Sequence, residues 1–467
     1  MMRSMFSSVS GLKAHQTKMD VIGNNIANVN TVAFKASRVT FAEIFAQTVS
    51  GASAPDPDTG RGGTNPVQIG LGMNVNSIDT LMTRGSLQRT DNPTDLSIDG
   101  EGFFIVRNGN EGTHMFTRAG NFTIDKLGNL VTADGLNVLG WQKYTVDDNG
   151  NYIFDTEEEL TPINLYEDEY NLNKRVLAAK ATTQAVLAGN LDATNTTINS
   201  NNGQIIDTNG DQIPEDGEGK NYDAHFIVPL SVYDALGNEY KLNISFWKTY
   251  VDTSGSSPQT IWYYRISASG AGFGDSGGDS AASGYIKFDS KGKIITDDSN
   301  YSVTPQIKVT PDPSVGTDSF TFELNLGKLT MYATDSSVKP TQVDGYPPGT
   351  LEAFSIGSDG VIVGVYSNGK QQPLGMVAIA VFDNAAGLQR MGNNLFIATS
   401  NSGDFTRALK PGTEGAGSLN PGTLEMSNVD LAQEFTEMII TQRGFQANSR
   451  VITASDEMLQ ELANLKR

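Results

Sequence analysis

Leu431, Met438, Phe445, Ile452 and Leu459 recur every seven residues near one end of the chain. Met5, Leu12, Met19 and Ile26 do the same near the other end. A seven-residue apolar repeat describes a helix with one narrow seam, and such a seam asks for a partner helix. Val9 widens the first seam. The alternate position of the second is mixed: Asn428, Phe435, Gln442, Ser449, Asp456 and Ala463. Two seams in one chain predict that the terminal helices pair, and that the termini are where copies of the chain meet. The first helix is predicted over 4–28, capped by Ser4 and stopped at Asn28-Val29-Asn30-Thr31. Gly23 in its interior costs about 1 kcal/mol relative to Ala. The second is predicted from Ser427, with Asp430 as a weak capping partner. At 1.5 Å per residue, about 38 residues would run about 57 Å.

Between the helices the period changes. Residues 34–48 read as a short helix or extended arm. SGASAPDPDTGRGGTNP (50–66) reads as a linker, rich in Gly, Pro, Ser and Asp. From about 67 onward, short runs of period two are broken by DG, NG and LGN turns, the pattern of antiparallel strands. Pro421-Gly422 closes that region. The predicted fold class is multidomain: paired N- and C-terminal α-helices forming a coiled-coil domain, plus mainly antiparallel β domains.

Composition narrows the functions. Forty-nine Gly against 17 Pro suit turn-dense β structure. Hydrophobic content of 38% with 18% charge fits folded domains rather than disorder. No apolar run approaches the roughly 18 residues of a membrane span, so no membrane insertion is expected. MMRSMFSSVS has no apolar core of a secretory signal. The chain has no Cys, which excludes disulfides, thiolate metal sites and a cysteine nucleophile. Net charge is −20, unevenly spread. Residues 1–48 carry five cations (Arg3, Lys13, Lys18, Lys35, Arg38) against Asp20 and Glu43, a balance of +3. The acids crowd the middle, as in DDNGNYIFDTEEEL (147–160). An acidic body argues against a nucleic-acid partner.

Several long stretches resemble the bacterial flagellar axial family of rod, hook and hook–filament junction proteins. SSVSGLKAHQTKMDVIGNNIANVNTVAFKASRVTFAEIF (7–45) resembles its N-terminal signature, in which Asn24, Asn25, Asn28, Phe34 and Lys35 fall on the motif. TRGSLQRTDNPTDLSIDGEGFFIV (83–106), FTRAGNFTIDKLGNLVTADGLNVLGW (116–141), SIGSDGVIVGVYSNGKQQPLGMVAIAVF (355–382) and residues 424–465 continue the resemblance in order. It covers a little over half the chain; residues of about 145–350 are not recognisable this way. One departure is Ala33, where the family usually has Gly before Phe-Lys. If that site needs positive φ, Ala strains it.

The large middle and the FKASR text favour hook over rod. The resemblance implies a curved, bendable tubular polymer outside the cell that joins rod to filament and transmits torque. It implies export without a cleaved signal through the flagellar type III apparatus. Its implied partners are copies of itself and the rod, hook-cap and hook–filament junction proteins. It also implies a division of the chain. Residues 1–49 with 422–467 form a terminal helical domain (inner tube), and 50–66 a linker. Residues 67–145 with 350–421 form an inner β domain, and 146–349 an outer β-rich domain. A distal rod subunit, forming a straight tube, and an extracellular adhesin with a coiled-coil stalk remain open.

Other chemistry has thinner support. In DTNGDQIPEDGE (207–218), Asp207, Asn209, Asp211 and Glu218 have the spacing of a calcium loop. Gln212 stands where Gly is expected and Pro214 interrupts, so an acidic turn explains the text as well. No cofactor is otherwise expected. His15, His114 and His225 are scattered, and no HExxH, GxSxG or P-loop text accompanies them, so no enzyme is expected. GFGDSGGDSAASG (272–284) lacks the strand, helix and Lys of a phosphate loop and reads as a loop.

Overall fold

The two seams form two helices: α1, Met2–Ala27, and α2, Leu431–Asn464. The computed structural model describes the chain apart from residues 1, 56–61, 110–111, 148–151, 169–171, 199, 202–203, 208–211, 217–219, 255–256, 269–271, 276–281, 297–300 and 465–467. Ser4 lies inside α1 rather than capping it. Its carbonyl accepts a bond from the Ser8 hydroxyl at 2.9 Å. At α2 the cap is Asp430, not Ser427. Asp430 Oδ1 accepts the Ala432 N–H at 2.8 Å and the Gln433 N–H at 3.3 Å. A carboxylate there satisfies two orphan donors and suits the positive end of the helix dipole.

Residues after α1 are extended, not helical. Strands β1 (Ser37–Glu43) and β2 (Ala46–Ser50) return as β3 (Val67–Gly70) and β4 (Met73–Thr80). β1 pairs antiparallel with β4, Ser37 opposite Thr80, and β2 with β3, Ala46 opposite Gly70. Ser53 bridges Thr64, so the described ends of 50–66 continue the paired arms of β2 and β3. β-branched residues at Val39, Thr40, Val49 and Val67 favour this pleated form over a helix.

The chain divides into two units. The first holds Met1–Lys174, Ala353–Gly364 and Gln371–Arg467; the second holds Arg175–Glu352 and Val365–Lys370. In the first unit, the strand Phe103–Arg107 is buried throughout, as its four leading apolar residues require, with Arg107 buried at its end. It pairs antiparallel with His114–Thr117 and Asn137–Trp141, and through Phe104 with Ile379. Phe103, Phe116, Phe382 and Phe396 share one core. The Phe116 and Phe382 rings meet edge to face at 4.7 Å. Two segments far apart in sequence therefore build one sheet.

In the second unit, a four-stranded sheet (226–233, 239–252, 259–268, 282–288) shares its core with a five-stranded one. Period two decides the faces. Val228, Leu230 and Val232 are buried, and Ile227 and Pro229 are exposed. Pro229 is tolerated because 226–233 is an edge strand. One parallel pair, Gln184–Asp192 with Phe320–Tyr332, breaks the antiparallel rule.

The LGN turns share a device. Asp125 Oδ1 accepts the N–H of Leu127 at 2.9 Å and of Asn129 at 2.7 Å, with Gly128 at φ 96° between them. Asp234 repeats it on Leu236 and Asn238, and Asp289 does the same in a Lys-Gly-Lys turn, on Lys291 and Lys293. A short acceptor side chain followed by a residue free to take positive φ is what such a turn demands.

Asp344 of the second unit gives a pH prediction. Its burial favours the neutral acid, but that is outweighed by bonds from the Thr183 hydroxyl, the Gln184 and Thr183 N–H groups, and Lys180, which hold its pKa down to about 2. A carboxylate with a depressed folded pKa stabilises above its unfolded value of about 3.9 and loses that contribution as pH falls toward 2. Asp344→Asn is expected to remove about 1–2 kcal/mol at pH 7, discounted for partial exposure, and only a small part of that at pH 2. Denaturant midpoints across that pH range check it.

Candidate assembly interface

α1 and α2 pack antiparallel, but the stripes that meet are not the apolar heptads. Asn25 bonds Glu434, Lys18 pairs with Glu437 at 2.5 Å, His15 lies against Gly444, and Gly11 against Asn448. The buried face of α1 is Ser8, Gly11, Ala14, Ile22 and Asn25. The heptad residues flank it. Met5, Leu12, Met19, Ile26, Met438, Phe445 and Ile452 are half-buried; Val9, Leu431, Phe435 and Leu459 are exposed. The contacts seen between the helices are thus mostly small and polar, with Ile22 buried among them and the apolar heptad residues alongside. Close approach is the reason. A Cβ at Gly444 would stand 2.9 Å from the His15 ring, and one at Gly11 2.7 Å from Asn448 Nδ2. Small residues let backbones come together, and large ones are displaced to the sides.

This leaves an unmatched apolar surface on the helices. Phe6 is 67% exposed, Phe435 51%, Ile439 51% and Ile440 62%. Phe435 and Ile439 are four apart and so lie on one face. Exposed apolar stripes of this size mark contact sites.

Beneath the helices sits a polar hub that joins both ends of the chain. Asn25 is 1% exposed. Its Nδ2 donates to the Ser37 carbonyl and Glu434, and its Oδ1 accepts the Ser37 N–H at 3.0 Å. One side chain therefore ties α1, β1 and α2. Asn28 Nδ2 closes the last turn of α1 on the Asn24 carbonyl at 2.9 Å, and Asn24 and Asn28 line a cleft with Phe34 and Asn394. Phe34 carries the Arg390 guanidinium 5.3 Å above its ring. Lys35 is buried. Its Nζ donates to Glu425 at 2.6 Å and to the Thr83 carbonyl at 2.8 Å. Glu425, fully buried, also accepts from Gly85 N–H at 3.0 Å and faces Arg118 at 3.4 Å. Burial pushes the Lys35 ammonium below its ordinary pKa, and Glu425 pulls it back up. Asn428 completes the hub, accepting the Ala36 N–H at 2.7 Å and donating to Leu81 and Thr83. Sequence reading missed Glu425, Arg118, Asn428 and Arg390 as partners. The signal available was the isolated Glu at the end of a strand facing a Lys-bearing motif.

Ala33 sits at φ 58° and is 1% exposed, so the Cβ stands where glycine is favoured.

Four family models match: "Flagella basal body rod protein" over residues 5–35, "Flagellar hook protein FlgE/F/G D1 domain" over 97–206, "Flagellar basal body protein FlaE D2 domain" over 197–346 and "Flagellar basal body rod FlgEFG protein C-terminal" over 420–465. The flagellar hook protein FlgE of Borreliella burgdorferi is 39% identical over 100% of both chains. The chain belongs to the flagellar hook protein family. The hook protein of Treponema pallidum is 37% identical, and the flagellar basal-body rod protein FlgG of Bacillus subtilis 31%, each over 100% of both chains. The crystal structure of the Helicobacter pylori flagellar hook protein FlgE2 overlays with a TM-score of 0.48 at 16% identity, over 73% of this chain and 100% of that one, too loosely to bear on the assignment. Hook-family membership makes this chain a structural part of the bacterial flagellum, and the hub is built on the family's N-terminal motif.

Of the candidate calcium ligands, Asn209, Asp211 and Glu218 lie outside the described residues; Asp207 accepts the Gln212 N–H at 2.9 Å. His15 packs on α2, His114 on Phe405 and His225 on Trp262.

Glu425→Gln leaves Lys35 and Arg118 buried beside a neutral amide, and is expected to cost about 3–5 kcal/mol. Arg84→Ala, which breaks the exposed pair with Asp99, is expected to cost under about 1 kcal/mol. Ala33→Gly is expected to gain about 0.5–1 kcal/mol by relieving the left-handed backbone. Thermal and denaturant unfolding of the full chain measure all three.

Proposed function

We propose that the chain is the subunit of a curved, bendable tubular polymer that joins the flagellar rod to the filament and passes motor torque around a bend. The observation that carries this reading is the apolar surface left exposed on a helix pair whose own contact is polar and small. Residues 1–49 with 422–467 would line the inner tube, 67–145 with 350–421 would surround it, and 146–349 would lie outermost. The flanking residues Met5, Val9, Leu12, Met19, Ile26, Leu431, Phe435, Met438, Phe445, Ile452 and Leu459 meet neighbouring copies. A contact repeated head to tail without closure makes a helical filament. Burying each large side chain contributes roughly 1.5–3 kcal/mol. The polymer stands outside the cell. Its subunits leave through the flagellar type III route without a cleaved signal, and they meet rod, hook-cap and hook–filament junction proteins.

Salting out the purified full-length chain, followed by electron microscopy, tests this. Bent tubes are the expected product. A variant with Phe435, Ile439 and Ile440 changed to Ser should keep its helix content by circular dichroism and raise the concentration needed for polymer at least tenfold. Straight tubes would move the assignment to the rod, the role named for the Bacillus subtilis relative. Unimpaired polymer from the triple variant would remove the stripe from the assembly contact.

A further inference from the structure

His15 is the one histidine within the helix pair, and its setting differs from the rest of the seam. Two polar contacts there are satisfied: Lys18 on Glu437 and Asn25 on Glu434. His15 Nδ1 is buried with no hydrogen-bond partner among the described residues. The Thr441 hydroxyl is also buried without one, on a residue 1% exposed. Thr441 lies three residues before Gly444, hence on the same face of α2 that receives the imidazole. The third wall is β1, whose Phe41 ring stands edge to face with the imidazole, 5.8 Å between centroids. Gly444 makes the room, since any Cβ there would strike Cε1 and Nε2.

We propose that His15 is a pH-sensitive latch: the helix pair closes around a neutral imidazole and loosens when the ring takes up a proton. The inference deepens the self-assembly reading and rests on it for the consequence in the polymer. The charged groups around the ring decide the sign. On α1 the neighbour is Lys18, a like charge for an imidazolium. On α2 the carboxylates Glu437 and Glu434 are already engaged by Lys18 and Asn25. On β1, Phe41 offers no acceptor, and Arg38 is turned to Asp79 of β4 at 3.6 Å. An imidazolium must donate from both nitrogens, and here one of them has nowhere to donate. Burial first, then Lys18, hold the His15 pKa below its ordinary value. A histidine depressed in the closed state leaves pairing unaffected above the free value of about 6.5 and weakens it as pH falls below that. The loss is about tenfold in the pairing equilibrium per pH unit until the closed-state pKa is reached.

The test uses the full-length chain, wild type and His15→Gln, in salt that favours assembly, taken from pH 8 to pH 5. Helix content is read by circular dichroism and polymer by sedimentation. His114 and His225 also titrate low, so the difference between the two chains is the readout. Expected is a loss of helix content in wild type beginning near pH 6.5 and deepening toward pH 5, at most about tenfold per unit in the pairing equilibrium, with His15→Gln flat over the same range. His15→Lys, charged throughout, should be loosened already at pH 8. Equal pH profiles for wild type and His15→Gln, whether flat or falling, would overturn the latch. Absence of polymer at every pH would instead count against the self-assembly reading, and the helix-content comparison would still decide the latch.

Discussion

Everything at the two ends of this chain depends on one buried carboxylate. Glu425 has no access to water, and it is held by Lys35 and the Gly85 N–H with Arg118 alongside. An isolated buried charge costs several kcal/mol, so the site forms only when its partners arrive together. Those partners come from residues 35, 85 and 118, and the carboxylate from residue 425. The same strand end fixes the N-terminal segment through its backbone, since the Ala33 N–H donates to the Glu425 carbonyl at 2.7 Å. Such a centre contributes little net stability compared with an apolar replacement, but it admits few alternative arrangements. Its effect is on geometry: α1 leaves and α2 enters the β region at a single defined place.

Above that place the helix pair separates two tasks that a simple coiled coil would merge. Lys18–Glu437, Asn25–Glu434, His15–Gly444 and Gly11–Asn448 set the register by charge and shape. Polar and size-matched contacts are selective but individually weak. The apolar residues, which carry more free energy per contact, are left to the sides. A helix pair that buried Phe435 and Ile440 internally would be more stable alone and would have less to offer a neighbour.

How much of this was legible depended on the range of the interaction. The seven-residue period announced both helices, and the DG, NG and LGN text announced the turns, because both are local. The left-handed backbone at Ala33 was raised only as a condition, by the Gly that the resembled family usually carries there, and the structure meets that condition. The facing stripe of the helices did not follow. Periodicity reports which residues share a face, not which of two adjacent faces meets the partner, and Gly11 and Gly444 decided that through packing. Gly444 is a socket for a residue 429 positions away, which no local pattern reports. The hairpin at 46–70 was likewise hidden, since Gly, Pro and Ser compose hairpin tips and linkers alike. The hub could be seen as a motif but not as an ion-pair centre, because its carboxylate lies 390 residues from its lysine.

Charge completes the argument for where cohesion sits. The chain carries −20 in total, while residues 1–48 carry +3. Copies brought side by side therefore repel through their acidic parts, over a range of about 10 Å at 0.1 M salt. Apolar contact acts only at van der Waals range, so it cannot offset that repulsion at a distance and must be concentrated where the surfaces touch. The exposed side chains of α1 and α2 meet that requirement, on the part of the chain with the least negative charge. Cohesion at the helices with repulsion elsewhere holds neighbours at one level and leaves their acidic surfaces able to slide. A polymer that bends while it turns needs that division. Added salt should then act mainly by screening the acidic surfaces, since the attraction it uncovers is apolar and strengthens with kosmotropic ions.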